Sequence, residues 1–466
     1  MSWTKNEILF ATAGKLLRAG RKDVFGEVVT DSSKVRTGSI FVALKGERLD
    51  GHRFVAEAVR RGARCVIVHR QPARAVKNAA VIKVPDTLKA LADLAHYRRQ
   101  KFAPKVVAIT GSNGKTTTKE MLAAILEEAF LNGASLRGKV LKTEGNFNNL
   151  VGLPLTLLRL RRDHRVAVVE LGTNHPGEIQ RLAQISDPDL AIITSVAPAH
   201  LEGLTSMAGV AREKGALYRN VRADGAIAVN LDDPWVRRLG RRFKGEKITY
   251  GKRGNVSAES WQSLGPKGAR FILRVGRARC AIRLNYPGQH NVVNAVGAAA
   301  LAHNLGVSLT AIRRGLGRAR PMAMRMQIEE WQGVGIINDA YNANPASIEA
   351  AVKTLAEIKG QGERIAVLGD MFELGRQSRQ QHLKLGKRIA QYRLSALYLL
   401  GAETTEQMRK GALRGGMPAE KIFVGKDHSD LARQLRRRVR RGDWLLLKGS
   451  RGMAMEKIVQ KLKGRR

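Results

Sequence analysis

The chain has 466 residues, 44% hydrophobic and 26% charged, with 47 Gly against 13 Pro. These globular proportions allow roughly two to four domains and exclude a disordered chain or a disulfide-stapled miniprotein. The 82 Lys plus Arg against 40 Asp plus Glu give a formal charge of +42, which attracts polyanions without choosing among nucleic acid, anionic membrane and a small phosphate-rich substrate.

Cys65 and Cys280 are the two cysteines, far apart and outside any CxxC pair, so neither a thiolate metal site nor a disulfide framework is expected. No segment reaches the roughly 18 uninterrupted apolar residues of a membrane span, and the N-terminus lacks the apolar core of a signal peptide. A soluble cytoplasmic protein without membrane insertion is the expectation.

Short β-branched runs alternate with helical patterns along most of the chain, the mark of an α/β protein with largely parallel sheets. The polar stretch 98–105 reads as a linker. Strands are predicted over 106–110, 166–171, 190–195, 226–230, 365–368 and 444–447. Between 117 and 130, Met121, Leu122, Ile125, Leu126 and Ala129 recur at helical spacing and mark one buried face. The region 317–321 separates a helical segment from a new α/β run, so three domains are expected near 1–103, 104–319 and 320–466. Arg436 to Arg438 with Arg440 and Arg441, and the C-terminal Gly464-Arg-Arg, read as solvated helix faces and a tail.

Gly111-Ser-Asn113-Gly114-Lys115-Thr116-Thr117 follows a buried strand and opens a helix. A phosphate there would meet backbone N–H groups at the positive end of a helix, the Lys115 ammonium, and a metal held by the Thr116 hydroxyl. The run is a GxxGKT variant, shorter than GxxxxGK[ST] because position 109 is Ile. The cofactor class is a nucleoside triphosphate with magnesium; the reaction stays open at this point. Glu170 ends one predicted strand and His200 follows another, which puts both at the C-terminal edge of a parallel sheet beside the loop. Hard magnesium favours oxygen ligands, so Glu170 is the natural choice. His200, taken alone, reads as a hydrogen-bonded structural histidine.

Thr110-Gly-Ser-Asn-Gly-Lys-Thr-Thr-Thr-Lys-Glu120, Glu144-Gly-Asn-Phe-Asn-Asn149, Glu170-Leu-Gly-Thr-Asn174, Ala199-His-Leu-Glu-Gly203, Gly288-Gln-His-Asn-Val-Val-Asn294, Asn338-Asp-Ala-Tyr-Asn-Ala-Asn-Pro345, Leu368-Gly-Asp-Met-Phe-Glu-Leu-Gly375 and Lys448-Gly-Ser-Arg-Gly-Met453 resemble the Mur ligases of peptidoglycan synthesis, in order and over essentially the whole chain. The resemblance implies a central ATPase domain of phosphate-loop type with a mostly parallel sheet, and a Rossmann-like C-terminal domain. It implies a reaction in which ATP phosphorylates the terminal carboxylate of UDP-MurNAc-tripeptide and the amine of D-Ala-D-Ala then displaces phosphate. A monomer, with no nucleic-acid partner, is expected.

Carried over residue by residue, Lys115 and Thr116 resemble the groups serving the β/γ-phosphates and a first magnesium, with Glu170 as its ligand. By the same resemblance His200 and a carbamylated Lys214 hold a second magnesium. His290, Asn291 and Asn294 match an adenine-contacting segment, although the same residues before an apolar helix also read as a cap. Arg325 and Asp339 match positions by which the C-terminal domain reaches the nucleotide. Ser32 and Ser33, and Lys45 within Phe41 to Glu47, resemble uridine and diphosphate contacts; a polar turn is the alternative. Asn146, Asn148 and Asn149 are expected to face the muramoyl-peptide. Asn342 and Asn344 either bind D-Ala-D-Ala or shape a turn before Pro345. Two rivals remain: an enzyme of the same fold adding another amino acid or acting on a folate, and a nucleic-acid-dependent ATPase suggested only by the charge, which no basic-aromatic motif accompanies.

Overall fold

The computed structural model describes residues 2–46, 49–72 and 76–464, so Glu47 of the expected diphosphate contacts and Arg465 and Arg466 of the tail lie outside the described residues. Three large sheets follow one another along the chain, beside two short two-stranded ones. The N-terminal sheet runs in the order Lys15–Arg18, Ala80–Lys83, Cys65–Val68, Ile40–Val42, Val28–Val29, parallel except at its first pair.

The second sheet begins Val140–Lys142, Val166–Glu170, Lys105–Thr110, Leu190–Ile193, Ala226–Asn230, Glu246–Tyr250, all parallel, and continues through Val256–Ser263 into two antiparallel hairpin partners. Lys105–Thr110 is buried from its second residue onward, because helices cover both faces and demand an unbroken apolar run. Val166–Glu170 and Leu190–Ile193 flank it in register, Glu170 opposite Ile109 and Ile193 opposite Thr110. Whatever leaves the ends of these three strands is therefore gathered at one edge.

The third sheet runs Gln327–Trp331, Val334–Asn338, Trp444–Lys448, Arg364–Gly369, Ala396–Leu400, Ile422–Val424, parallel apart from the first pair. Its carboxyl ends, at Asn338, Gly369 and Lys448, carry the loops that matter below.

Several expected boundaries move, each for a physical reason. The helix expected to reach 130 spans Lys115–Leu126, and Phe130–Leu131 instead pairs with Ala134–Ser135. Asn132 and Gly133 both adopt positive φ (49° and 77°), the backbone an Asn-Gly hairpin turn requires. The stretch expected as a linker mostly belongs to the helix Thr87–Phe102. Arg98 and Arg99 are buried there because their guanidinium groups dock onto the central domain: Arg98 donates to the Leu160 carbonyl, and Arg99 donates to the Asp187 carbonyl and to Asp189. Thr194 and Ser195 leave the strand, freeing their hydroxyls for the phosphate loop.

In the basic clusters Arg436, Arg437, Arg440 and Arg441 are exposed as expected, and Arg438 is partly covered. Arg436 donates to the Leu462 and Gly464 carbonyls, and Arg438 pairs with Glu363. Among the described residues no helix is long and apolar enough to cross a membrane.

Candidate active site

The loop after Lys105–Thr110 is shaped by two glycines. Gly111 has φ +150°, and a Cβ there would lie 2.0 Å from Thr194 Oγ1; Gly114 has φ +83°, and a Cβ there would lie 2.3 Å from Asn294 Oδ1. Only glycine allows both the left-handed turn and so close an approach. Gly114 caps the helix Lys115–Leu126 without a side-chain bond, so the first N–H groups of that helix face open space.

Lys115 lies at the start of this helix and donates to the Gly111 carbonyl at 2.8 Å, folded back over its own loop. Burial lowers its pKa; the Glu170 carboxylate opposes that shift and Arg325 adds to it. Thr116 Oγ1 donates to Glu170 Oε2 at 2.8 Å, and Asn148 Nδ2 donates to Glu170 Oε1 at 2.8 Å. The Glu170 carboxylate is 2% exposed yet fully engaged.

These groups line one cavity of about 640 Å³ between the central and C-terminal domains. Asn113, Gly114, Lys115, Thr116, Thr117, Asn146, Asn148, Asn149, Glu170, His200, His290, Asn291, Asn294, Arg325, Asp339, Asn342 and Asn344 all lie on its wall. Residues more than 200 positions apart are thus brought within reach of a single ligand.

The helix Gln289–Asn304 is capped by Gly288 with no side-chain bond, so His290, Asn291 and Asn294 do not form the cap that the sequence left open. Asn291 donates to the Pro287 carbonyl, and Asn294 donates to Asn291 Oδ1 at 3.1 Å. Burial pushes the His290 pKa down to about 4, Asp339 opposing and Lys448 assisting, so the ring is neutral at physiological pH.

From the C-terminal domain, Asp339 receives the Met326 amide at 3.0 Å and the buried Lys448 ammonium at 2.6 Å. The Arg325 guanidinium lies over the Tyr341 ring, 3.8 Å from its centroid, a stacking that holds a long side chain in place. Asn344 takes the turn role: its Oδ1 caps the helix Pro345–Ala356 by accepting the Ser347 amide. Its Nδ2 also donates to Asn113 Oδ1 at 2.7 Å, which ties the C-terminal domain to the phosphate loop. Asn342 Oδ1 accepts the Ala343 amide.

His200 and Glu373 face each other across the domain seam, His200 Nδ1 lying 2.7 Å from Glu373 Oε2. Both backbones are left-handed (φ +54° and +66°), which costs roughly 1 kcal/mol or more for a residue with a Cβ and is retained where the surrounding structure fixes it. His200, opposed by burial and helped by Lys115, holds the Glu373 carboxyl below the usual range.

Five expected residues are not on the cavity wall. Gly111 contributes its carbonyl to Lys115. Lys214, on the helix Met207–Arg219, is 1% exposed; burial, reinforced by Lys115, holds its pKa well below the ordinary lysine value. Ser32, Ser33 and Lys45 belong to the N-terminal unit: Ser32–Lys34 is a turn whose Asp31 side chain accepts from the Ser33 amide, and exposed Lys45 pairs through its backbone with Asp50 in an isolated antiparallel bridge. Conversely, the wall holds Glu373, Lys448, Arg451 and Tyr341, to which the sequence assigned no role. They lie in the 338–345, 368–375 and 448–453 runs, and what points them inward is the strand order of the third sheet.

A phosphate loop on a parallel sheet, facing the loops of a second α/β unit across a cleft, defines a class of multidomain nucleotide-dependent enzymes. Sequence-family models resolve the class: the Mur ligase family catalytic domain matches residues 25–99, the Mur ligase middle domain 109–302, and the Mur ligase glutamate ligase domain 324–451. The chain belongs to the Mur ligase family. It is 36% identical to UDP-N-acetylmuramoyl-tripeptide--D-alanyl-D-alanine ligase of Haemophilus influenzae, over 94% of this chain and 93% of that protein. The crystal structure of MurF from Acinetobacter baumannii superposes with a TM-score of 0.91 at 34% identity, covering 100% of this chain and 99% of that one. MurF ligase from Thermotoga maritima, solved in complex with ADP, superposes with a TM-score of 0.81 at 29% identity, over 94% and 97% of the two chains.

Proposed function

We propose that the chain is the ATP-dependent ligase that joins D-alanyl-D-alanine to UDP-N-acetylmuramoyl-tripeptide. The observation that carries this reading is the single cavity in which Lys115, Glu170 and His200 of the central domain meet Arg325, Asp339 and Glu373 of the C-terminal domain. Relatives with that activity in their names align over nearly the whole chain.

A carboxylate is a poor electrophile because its charge repels nucleophiles. Transfer of the ATP γ-phosphoryl group gives an acyl phosphate and ADP; the amine nitrogen then bonds to the carbonyl carbon, loses a proton and expels phosphate. The protein must bring anions together, so its part is positioning and charge neutralisation. Lys115 swings from the Gly111 carbonyl to the phosphates, which also meet the N–H groups of the helix it begins. Neutral His290, with Asn291 and Asn294, faces the base, and Arg325, steadied on Tyr341, supplies a second cation from the closing domain.

Magnesium fits the donors present. Thr116 and Glu170 offer two oxygens already 2.8 Å apart, suited to a hard cation. For a second ion, the described residues hold no group of three or more His, Cys, Asp or Glu able to bind a metal. By the family resemblance His200 and a carbamylated Lys214 would hold that ion, and the buried, easily deprotonated Lys214 amine suits reaction with CO₂. When bound, the ions neutralise phosphate oxygens.

Domains at 1–103, 104–319 and 320–466 would carry the UDP-substrate, the ATP and the dipeptide side, with Ser32, Ser33 and Lys45 on the uridine-diphosphate moiety. Asn146, Asn148, Asn149 and Asn342 face the peptide. The enzyme acts as a monomer in the cytoplasm.

The test is phosphate release with UDP-MurNAc-tripeptides and ATP. D-Ala-D-Ala should trigger turnover where single amino acids do not. Equal rates with single amino acids or a folate acceptor would replace this reading with another ligase of the same fold.

A further inference from the structure

Four carboxylates line the cavity, and three of them are already committed. Glu170 accepts from Thr116 and Asn148. Asp339 holds the Lys448 ammonium and the Met326 amide. Glu178 accepts the Asn174 and His175 amides. Glu373 differs: its contact is the His200 ring at 2.7 Å, and 46% of its side chain stays open.

A carboxylate here works against the phosphates and carboxylates that the proposed reaction brings together. A further cation arriving beside it would offset that repulsion. The amino component brings such a cation, its ammonium group. From the geometry we infer that Glu373 binds the ammonium group of the incoming dipeptide and, once that group has released one proton to solvent, presents the neutral amine nitrogen to the activated carboxyl.

The surroundings suit that task. Glu373 follows the strand Arg364–Gly369 in the C-terminal domain, whereas the phosphate loop belongs to the central one, so nucleophile and phosphates are delivered from opposite walls. The loop is fixed at both ends of the residue: the Glu373 carbonyl accepts the Glu202 amide at 3.1 Å, and the Phe372 amide donates to Ser450 Oγ at 2.7 Å. A left-handed backbone at φ +66° aims the side chain across the seam. An ammonium has three N–H donors, so it can bond to Glu373 and still meet a second acceptor.

This assignment rests on the dipeptide-ligase reading, and its test separates the two. Glu373→Gln keeps the shape and removes the charge. In phosphate-release assays the KM for D-Ala-D-Ala should rise about 10- to 100-fold, as expected for loss of a charged hydrogen bond, while the KM values for ATP and UDP-MurNAc-tripeptide and the magnesium concentration for half-maximal rate change by less than about 2-fold. N-acetyl-D-Ala-D-Ala, which lacks the ammonium, should inhibit wild type and variant equally, and Glu373→Asp should recover part of the dipeptide affinity.

An unchanged dipeptide KM would overturn the assignment. So would a parallel rise in the KM for ATP or in the magnesium requirement, which would make Glu373 a positioning residue for His200 or a metal ligand. Wild-type enzyme that uses other amines but not D-Ala-D-Ala would refute the dipeptide reading itself. A Glu373→Gln defect shared by every amine used would still support the ammonium contact.

Discussion

His290 offers a quantitative test of how the cavity treats charge. Its ring is half-buried at the start of the helix Gln289–Asn304, and burial lowers its pKa from an ordinary 6.5 to about 4, against the pull of Asp339 and with the push of Lys448. A histidine with a depressed native pKa is protonated more readily in the unfolded chain. Its stabilising contribution is therefore complete above pH 6.5 and is lost as pH falls toward 4. With these two values the loss between pH 7 and pH 5 is roughly 2 kcal/mol, approaching about 3 kcal/mol below pH 4. Other groups titrate over the same range, so the measurement is a difference. Urea unfolding of wild type and His290→Gln at pH 7 and pH 5, followed by circular dichroism, should show the variant losing about 2 kcal/mol less than wild type. Equal losses would mean that the ring titrates normally in the folded protein, and the account of His290 as a neutral imidazole on the cavity wall would fall.

Gly114→Ala should lower stability by about 2 kcal/mol, one part from a left-handed backbone with a Cβ and one from the Asn294–Asn291 bond lost when Asn294 moves away. Calorimetry should also show ADP binding weakened more than about 10-fold, and wild-type affinity would refute the close approach. Lys115→Ala should cut turnover at least about 10²-fold with folding intact, since its hydrogen bond is to its own loop; near-normal turnover would remove Lys115 from the site. Lys214→Ala should lose activity and regain part of it with acetate. Wild type in ¹³C-bicarbonate should give a carbamate NMR signal that the variant lacks, and full activity of CO₂-free enzyme with an unmodified Lys214 would sink the modification.

What the sequence determines is local. The phosphate loop is legible because strand, glycine turn, Lys115 and helix are contiguous, and each needs only its neighbours to form. Glu170 is legible as a site residue because a parallel strand must end at the same sheet edge as its neighbour. The run to Phe130 fails for an equally local reason: apolar spacing outweighs the Asn132-Gly133 turn when periodicity alone is read, although the turn dictates the backbone.

Tertiary structure decides what lies across the seams. Arg98 and Arg99 read as linker charge because the carbonyls and the carboxylate that bury them lie more than 60 residues away. Asn344 meets Asn113 across 231 positions, and Lys448 meets Asp339 across 109. The Glu373–His200 contact exists only because two domains, each with its own sheet order, set their strand ends face to face. A side chain's partners depend on where the sheets bring the chain back, and the spacing of residues along the sequence carries no record of that distance.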